Sequence, residues 1–345
     1  MRQFKMLACL LKGPGKVVLE DVPTPIPALG DVLVRLRAGG ICGTDLEKIH
    51  GGYGPRVLLG HEVSGVVEQV GEEVKLLKPG DRVVAHHHVP CYNCYYCQHG
   101  DYTMCDSFKA TNFDPCGFAE FFRVPEFNVT RGAVTPLPDT VGFEEAALLE
   151  PAACCIRALD KSGAQSGNNV LIVGLGPTGL THLQLLRNMG AGKIVGTDIQ
   201  KARLNMAKKM GADLVLDPNE QDVPKEVKKV ASYGVDLAIV STGNPKAISQ
   251  AFSSVRKGGR ILLFGAPAQG AIYQLDVSSL FARQIFITTS YSCLEPEIRR
   301  ALDLVSRKAI DLGSLVTHRF PLKEAPEALE FARSSPAAVK TMIVS

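Results

Sequence analysis

Val170-Leu-Ile-Val173 is a short, wholly apolar run that leads directly into Gly174-Leu-Gly176-Pro-Thr-Gly179. A strand with no polar face is buried on both sides, which calls for a parallel sheet covered by helices. The three glycines permit a tight turn and let backbone approach a pyrophosphate. The helix that opens behind them offers free N–H groups and a partial positive charge. An apolar-periodic segment follows from about Leu180 to Met189, and the texture then repeats. Strands are expected at Lys193–Thr197, Leu214–Leu216, Val235–Val240, Arg260–Phe264 and Ile285–Thr289. Helices are expected near 200–210, 222–231 and 246–256. This alternation predicts an α/β, doubly wound parallel sheet.

Asp198 closes the strand after the glycine loop. A carboxylate there accepts hydrogen bonds from the ribose hydroxyls of a dinucleotide and repels a 2′-phosphate, which favours NAD over NADP. Lys201 and Arg203 weigh the other way, since both can reach a phosphate. The plainer alternative is a strand–helix turn with Asp198 capping the next helix. Ser241-Thr242-Gly243 and Phe264-Gly265 end two further strands, so their backbone is expected near the cofactor.

The segment before residue 150 has a different texture. Asp31-Val-Leu-Val-Arg-Leu-Arg37 alternates, with Val32, Val34 and Leu36 on one face. Val63–Val70, Arg82–Ala85 and Phe118–Val124 also read as strands. Pro23, Pro25, Pro27, Gly39 and Gly40 punctuate them as turns. After residue 294 come one amphipathic helix, Glu295–Ser306, and a mixed tail that ends in the strand Thr341–Val344. The tail does not extend the strand–helix alternation, so it is expected to pack back on the first domain.

The 345 residues suit two domains, and 46% hydrophobic with 21% charged residues is ordinary for a globular chain. With 38 basic and 35 acidic residues the net charge is +3, which makes no general case for nucleic acid or an anionic membrane. The apolar stretch Met6–Leu11 is short for a secretory core, and Val170–Leu186 carries three Gly and a Pro, unlike a membrane helix. A cytoplasmic protein is expected.

Four of the ten cysteines form Cys91-x2-Cys94-x2-Cys97-x7-Cys105. Four thiolates at short spacing predict a closed, structural zinc site. A nucleic-acid-binding zinc ribbon is the rival reading, but the basic flank is missing. Cys42-Gly-Thr44-Asp45, Gly60-His61-Glu62 and Glu150-Pro151 are bland one by one. Together they supply one thiolate, one imidazole and two carboxylates, a plausible open zinc site.

In the order Cys42–Asp45, Gly60-His-Glu-Val-Ser-Gly65, the cysteine lobe, Glu150-Pro151, Gly174–Gly179 and Asp198, the chain resembles the zinc-containing medium-chain dehydrogenases along essentially its whole length. Glu150 makes it similar to the polyol, threonine and glucose dehydrogenase branch. The resemblance implies a β-rich, GroES-like catalytic domain over 1–153, with 288–345 packing back on it, and a Rossmann NAD-binding domain over 154–287. It implies two zinc ions per chain. Cys42, His61, Glu62 and Glu150 would hold the catalytic one, Glu150 directly or through water, and the lobe cysteines the structural one. It implies NAD on Gly174, Gly176, Pro177, Thr178, Gly179, Asp198, Arg203, Thr242, Gly243, Phe264 and Gly265. The substrate is then a small polar alcohol in the interdomain cleft, and the protein a homo-oligomer, dimer or tetramer.

Thr44 matches the hydroxyl that starts the family's proton relay. Many relatives carry a relay His at the position of Glu47, while archaeal-type glucose dehydrogenases resemble this chain in having Glu. Glu47 then serves as proton exit or touches a polar substrate, and His50 replaces the missing His. His86-His87-His88 reads as a surface strand end, with lining of the cleft or binding of substrate hydroxyls as alternatives. Cys154 and Cys155 read as core residues, and Cys116 has no assigned role. The leading expectation is hydride transfer between a secondary alcohol of a polyol, sugar or cyclitol and NAD. Threonine or amino-alcohol oxidation is the alternative within the class. A metal-free or non-catalytic member is the alternative outside it.

Overall fold

The chain crosses between two folding units twice: unit 1 comprises Met1–Ala153 and Cys293–Ser345, and unit 2 comprises Cys154–Ser292. The computed structural model describes residues 4–51, 58–267 and 270–345. In chain order, unit 1 contributes β1 (Lys5–Leu11), β2 (Val17–Pro23), β3 (Val32–Gly40), β4 (Glu62–Val70), β5 (Arg82–Ala85), β6 (Phe121–Val124) and β7 (Val134–Pro136). Unit 2 contributes β8 (Val170–Val173), β9 (Ile194–Thr197), β10 (Leu214–Leu216), β11 (Val235–Val240), β12 (Val255–Leu263) and β13 (Phe286–Thr289). The return to unit 1 adds β14 (Val316–Pro321) and β15 (Lys340–Val344).

In unit 1, β1 and β2 form an antiparallel pair. The larger sheet has the order β14-β15-β3-β4-β5-β7, with β6 also paired to β3. Along β3, Val32, Val34 and Leu36 are fully buried while Arg35 and Arg37 face outward, as the alternation requires. Their core includes Phe113, Phe118 and Phe122, and Leu322, Leu329 and Ile343 from the returning segment. Each such side chain withdrawn from water contributes about 1.5–3 kcal/mol. The strand expected from Phe118 is confined to β6, because Phe118 and Ala119 turn to β1 instead. There the Cys9 N–H donates to the Phe118 carbonyl at 2.8 Å, and Ala8 bridges Ala119.

In unit 2, β8 to β13 are parallel in the order β10-β9-β8-β11-β12-β13. Helices Pro177–Asn188, Lys201–Lys209, Val223–Val230, Pro245–Ser254 and Val277–Arg283 fill the crossovers. This is the doubly wound order, with its topological switch point between β8 and β11. β12 begins at Val255, earlier than expected, since the preceding helix stops at Ser254. A bulge against β11, with Gly258 at φ +68°, lets the strand run through. Among the described residues no helix is long and apolar enough to cross a membrane.

Asp213, just before β10, locks the far end of the first crossover. It accepts from the Ile194 N–H at 2.8 Å and Lys193 Nζ at 3.1 Å, and it pairs with Arg187. Partial burial opposes its charge, but these donors outweigh it and depress its pKa to about 2. The folded value lies below the unfolded one. The stabilisation is therefore present above pH 4 and fades as pH falls from about 4 to about 2. Asp213→Asn is expected to cost about 1–2 kcal/mol at pH 7 after allowance for solvent screening. In urea unfolding, the gap to the parent protein should narrow below pH 4. A constant gap would assign the loss to packing rather than charge.

Candidate functional site

The first cluster forms where β3 ends at Gly40 and the chain turns through Cys42 into helix Gly43–Ile49. Asp45, in its first turn, is completely buried. It accepts from the Cys42 N–H and the Gly60 N–H, each at 3.1 Å, and lies 3.4 Å from His61 Nδ1 and 3.7 Å from Lys48 Nζ. Burial alone would raise its carboxyl, but His61, Lys48 and the backbone donor hold it far below the usual carboxylate range. Burial likewise works against charge on His61, and Asp45 with Cys42 outweighs it, raising that imidazole well above its ordinary value. With Nδ1 turned to Asp45, Nε2 is the nitrogen left for a metal. The ligand atoms of Cys42, His61 and Glu62 all lie within 4.8 Å of one another. Thiolate, imidazole and carboxylate at this spacing fit a zinc ion with an open position.

Glu62 opens β4 and is buried against Lys340, the first residue of β15, which is equally buried. Gly40 clears the space, since a Cβ there would stand 2.1 Å from Glu62 Oε2. Burial disfavours the ammonium, but Glu62 and Cys42 raise the Lys340 pKa. Thr44 lies on the helix that Cys42 caps and is half-buried, while Glu47 on the same helix and His50 at its end are exposed.

Glu150 is not part of this cluster. Glu150 and Pro151 sit in the first turn of helix Leu149–Ser162, a position that tolerates proline, close to the end of the first stretch of unit 1 at Ala153. The Glu150 carboxylate groups with His86 and Cys293. The reading of His86–His88 as a surface strand end is also corrected. His86 and His87 are buried and His88 is half-buried, because the buried Asn128 amide binds the carbonyls of His86 and His87 at 3.3 and 3.0 Å. His87 lies 5.0 Å from the His61 ring and 3.8 Å from the His88 ring, centre to centre. Burial and the neighbouring imidazoles keep His87 neutral and push His88 down to about 2.

The four lobe cysteines also converge within 4.8 Å. Cys94 and Cys97 sulfurs are 3.6 Å apart, and those of Cys91 and Cys105 are 3.5 Å apart. The Asn93 and Cys94 N–H groups both donate to Cys91 Sγ, which lowers that thiol to about 6 and favours the thiolate a metal needs. Little apolar packing supports the lobe beyond Phe108, Leu294 and Tyr102. Cys155 is buried and points to the Thr178 carbonyl at 3.7 Å, a core residue. Cys116, also buried, points to the Cys9 carbonyl.

In unit 2, Gly174 has φ +93°, and a Cβ on Gly179 would stand 2.0 Å from the Gly174 carbonyl oxygen. Loop and helix therefore close up only with glycine at both positions. Pro177 opens the twelve-residue helix, and no protein atom lies within 4 Å of where a Gly176 Cβ would be. That bare loop above a helix N-terminus fits a pyrophosphate. Asp198 follows β9 and accepts from the Leu175 N–H at 2.8 Å and the Gln200 N–H at 2.9 Å, with Arg203 Nη1 at 3.7 Å. Thr242 and Gly243 follow β11. Phe264 and Gly265 follow β12 and donate their N–H groups to the Val240 carbonyl. All of these residues stand at the carboxyl ends of neighbouring strands, where such sheets bind dinucleotides.

Residues 28–139 match the family model of the alcohol dehydrogenase GroES-like domain, and 177–307 match that of the zinc-binding dehydrogenase. Sorbitol dehydrogenase of Macaca fascicularis is 34% identical over 94% of this chain and 92% of its own length. The Bacillus subtilis sorbitol dehydrogenase is 33% identical over 95% and 93%. The structure of a zinc-binding dehydrogenase from Sinorhizobium meliloti, bound to NADP, superposes with a TM-score of 0.90 at 30% identity over 99% of this chain and 100% of that one. The chain belongs to the zinc-containing medium-chain dehydrogenases, in their polyol dehydrogenase branch. It is an alcohol oxidoreductase that uses zinc and a nicotinamide cofactor on a small-molecule alcohol.

Four contributors escaped sequence reasoning. Asp45 lay inside a quoted motif without a role. Lys340 was detectable as a lone cation in an apolar terminal strand. Cys293 and Glu295 carried no spacing signal at all. Removing one member of a buried ion pair leaves the other charge stranded. Lys340→Met is therefore expected to destabilise metal-free protein by about 3–5 kcal/mol, with most of the loss recovered in Lys340→Met/Glu62→Gln. Urea unfolding of chelator-treated protein measures both, and a loss below about 1 kcal/mol for the single variant would show that Glu62 is solvated some other way.

Proposed function

We propose that the protein oxidises a secondary alcohol of a polyol, sugar or cyclitol with NAD, at a zinc held by Cys42, His61 and Glu62. The observation that carries this reading is the convergence of those three ligand atoms around an imidazole braced by the buried Asp45. The lobe cysteines Cys91, Cys94, Cys97 and Cys105 hold a second, structural zinc. Relatives named as sorbitol dehydrogenases support a multi-hydroxyl substrate, and the threonine alternative gains no support from them. Asp198, with both oxygens fixed by backbone donors, supports NAD, and Arg203 beside it tempers that preference.

When bound, zinc would supply Lewis acidity at the substrate hydroxyl, and a nicotinamide would supply the hydride-accepting group. Asp45 fixes the His61 tautomer and keeps the ring from turning. Thr44 Oγ1 accepts the hydroxyl proton and donates its own onward. Glu47 and His50, on the same helix and at its end, return the proton to water. Gly174–Gly179 and the helix N-terminus bind the cofactor phosphates.

A homo-oligomer is supported by β13, an edge strand with Phe286 and Ile287 exposed beside an 85% exposed Phe281. An edge of this kind pairs with a second copy. Cysteines grouped as metal ligands rather than as a disulfide framework suit the reducing cytoplasm. The near-neutral charge gives no support to nucleic acid as a partner.

Reduced nicotinamide absorbance, followed with NAD or NADP and a panel of polyols, aldoses, inositols, amino alcohols and simple alcohols, tests the reading. A rate with a polyol or sugar and NAD is expected, and turnover of threonine alone would overturn it. Cys42→Ala should lose activity by about three orders of magnitude or more yet stay folded, as judged by circular dichroism. Asp198→Asn should lower kcat/KM for NAD about tenfold or more and raise the NADP to NAD ratio. An unchanged ratio would remove Asp198 from cofactor choice.

A further inference from the structure

His86, Glu150 and Cys293 come from three separate stretches of unit 1 and meet in its interior. His86 follows β5, Glu150 lies in the first turn of helix Leu149–Ser162, and Cys293 is the residue at which the chain re-enters the unit. His86 and Cys293 have no exposed surface, and Glu150 is buried. All three ligand atoms lie within 4.8 Å of one another. Cys293 Sγ is 3.7 Å from His86 Nε2 and 3.9 Å from Glu150 Oε1.

Those spacings match a coordination sphere. Ligand atoms on a tetrahedral zinc, with a sulfur at about 2.3 Å and a nitrogen or oxygen at about 2.0–2.2 Å, stand about 3.6 Å apart. The lobe gives an internal standard, with sulfur pairs at 3.6 and 3.5 Å where four thiolates on a tetrahedral zinc stand about 3.8 Å apart. The two distances from Cys293 Sγ are as close to their ideal as the two lobe pairs are to theirs.

The imidazole is also braced as a metal ligand is. His86 Nδ1 lies 3.2 Å from Glu295 Oε1, and the other Glu295 oxygen accepts the Tyr92 hydroxyl at 2.6 Å. A carboxylate on one ring nitrogen directs the other at the metal. This repeats the plan of Asp45, His61 and Cys42 with different residues on different elements. In a purely hydrogen-bonded arrangement, the single thiol proton of Cys293 faces two acceptors and is a weak donor to either. A divalent cation engages all three groups at once.

We propose that Cys293, His86 and Glu150 form a third cation site, selective for Zn2+ or Co2+, that clips the re-entering chain to β5 and to the start of helix Leu149–Ser162. Thiolate and imidazole favour these ions over Mg2+ or Ca2+. Three protein ligands leave one position for water. Glu150 serves this cation rather than the one at Cys42. The site stands independently of the substrate reading.

Zinc per chain, measured by mass spectrometry on full-length protein from zinc-supplemented medium, tests it. Three ions are expected in the parent protein, two in Cys293→Ala, two in Cys42→Ala and one in the double variant. His86→Gln should also hold two, which covers the case in which Cys293→Ala fails to fold. Cobalt offered to Cys42→Ala after a chelator has reduced its zinc from two ions to the one in the lobe should give a thiolate-to-cobalt absorption band that is absent from Cys42→Ala/Cys293→Ala treated in the same way. Equal zinc in the parent, Cys293→Ala and His86→Gln would overturn the proposal. If Cys42→Ala loses an ion at the same time, the catalytic site stands without it. A loss in Cys293→Ala with none in Cys42→Ala supports the clip and removes the catalytic reading instead.

Discussion

A single buried carboxylate organises the catalytic half of this protein. Asp45 has no contact with water, yet it gathers the Cys42 N–H, the Gly60 N–H, the His61 ring and the Lys48 ammonium. A charge in that position survives only because donors surround it. Those donors are the two chain turns that carry the thiol and the imidazole. The energetic requirement of one side chain therefore sets the geometry of two others. Lys340 does the equivalent for Glu62 from the far end of the chain. Two ion pairs, both inside, keep three ligand-bearing residues in register at the ends of neighbouring strands.

The fold was legible wherever burial imposed a period. β8, at the centre of the unit 2 sheet, is apolar throughout, and the glycine loop behind it announces both the helix and what it binds. Elements with weaker periodicity went unread. β1 and β2 form a separate two-stranded sheet, so neither carries the all-apolar mark of a central strand. Helix Ala325–Ser334 buries just Ala325, Ala328 and Leu329, an i, i+3, i+4 pattern too small to stand out in a mixed tail. Helix Val277–Arg283 buries nothing, so it left no pattern to find.

The site shows the same division. Residues brought together by local spacing were visible, as with the lobe and with Gly60-His61-Glu62. Residues brought together by topology were not. Glu150 is adjacent to Cys293 and His86 because two chain crossings fall near each other in unit 1, and no spacing along the sequence encodes that. The histidine run looked like a wet strand end because three polar rings in succession usually are. Asn128, tied to the carbonyls of two of them, draws the run inward.

The Glu62–Lys340 pair also imposes an order on biosynthesis. Its two members are translated on either side of the whole of unit 2. Unit 2 is one continuous stretch with its own core and can fold as it emerges. Unit 1 cannot, since β15 is still to be made. At about 5–20 residues per second, the ribosome spends on the order of tens of seconds on the intervening stretch. Throughout that interval Cys42, His61 and Glu62 exist without the cation that neutralises Glu62. Metal loading at that centre is therefore an event of the finished chain, and any assistance the nascent protein receives has to cover an open, negatively charged sheet until the last strand arrives.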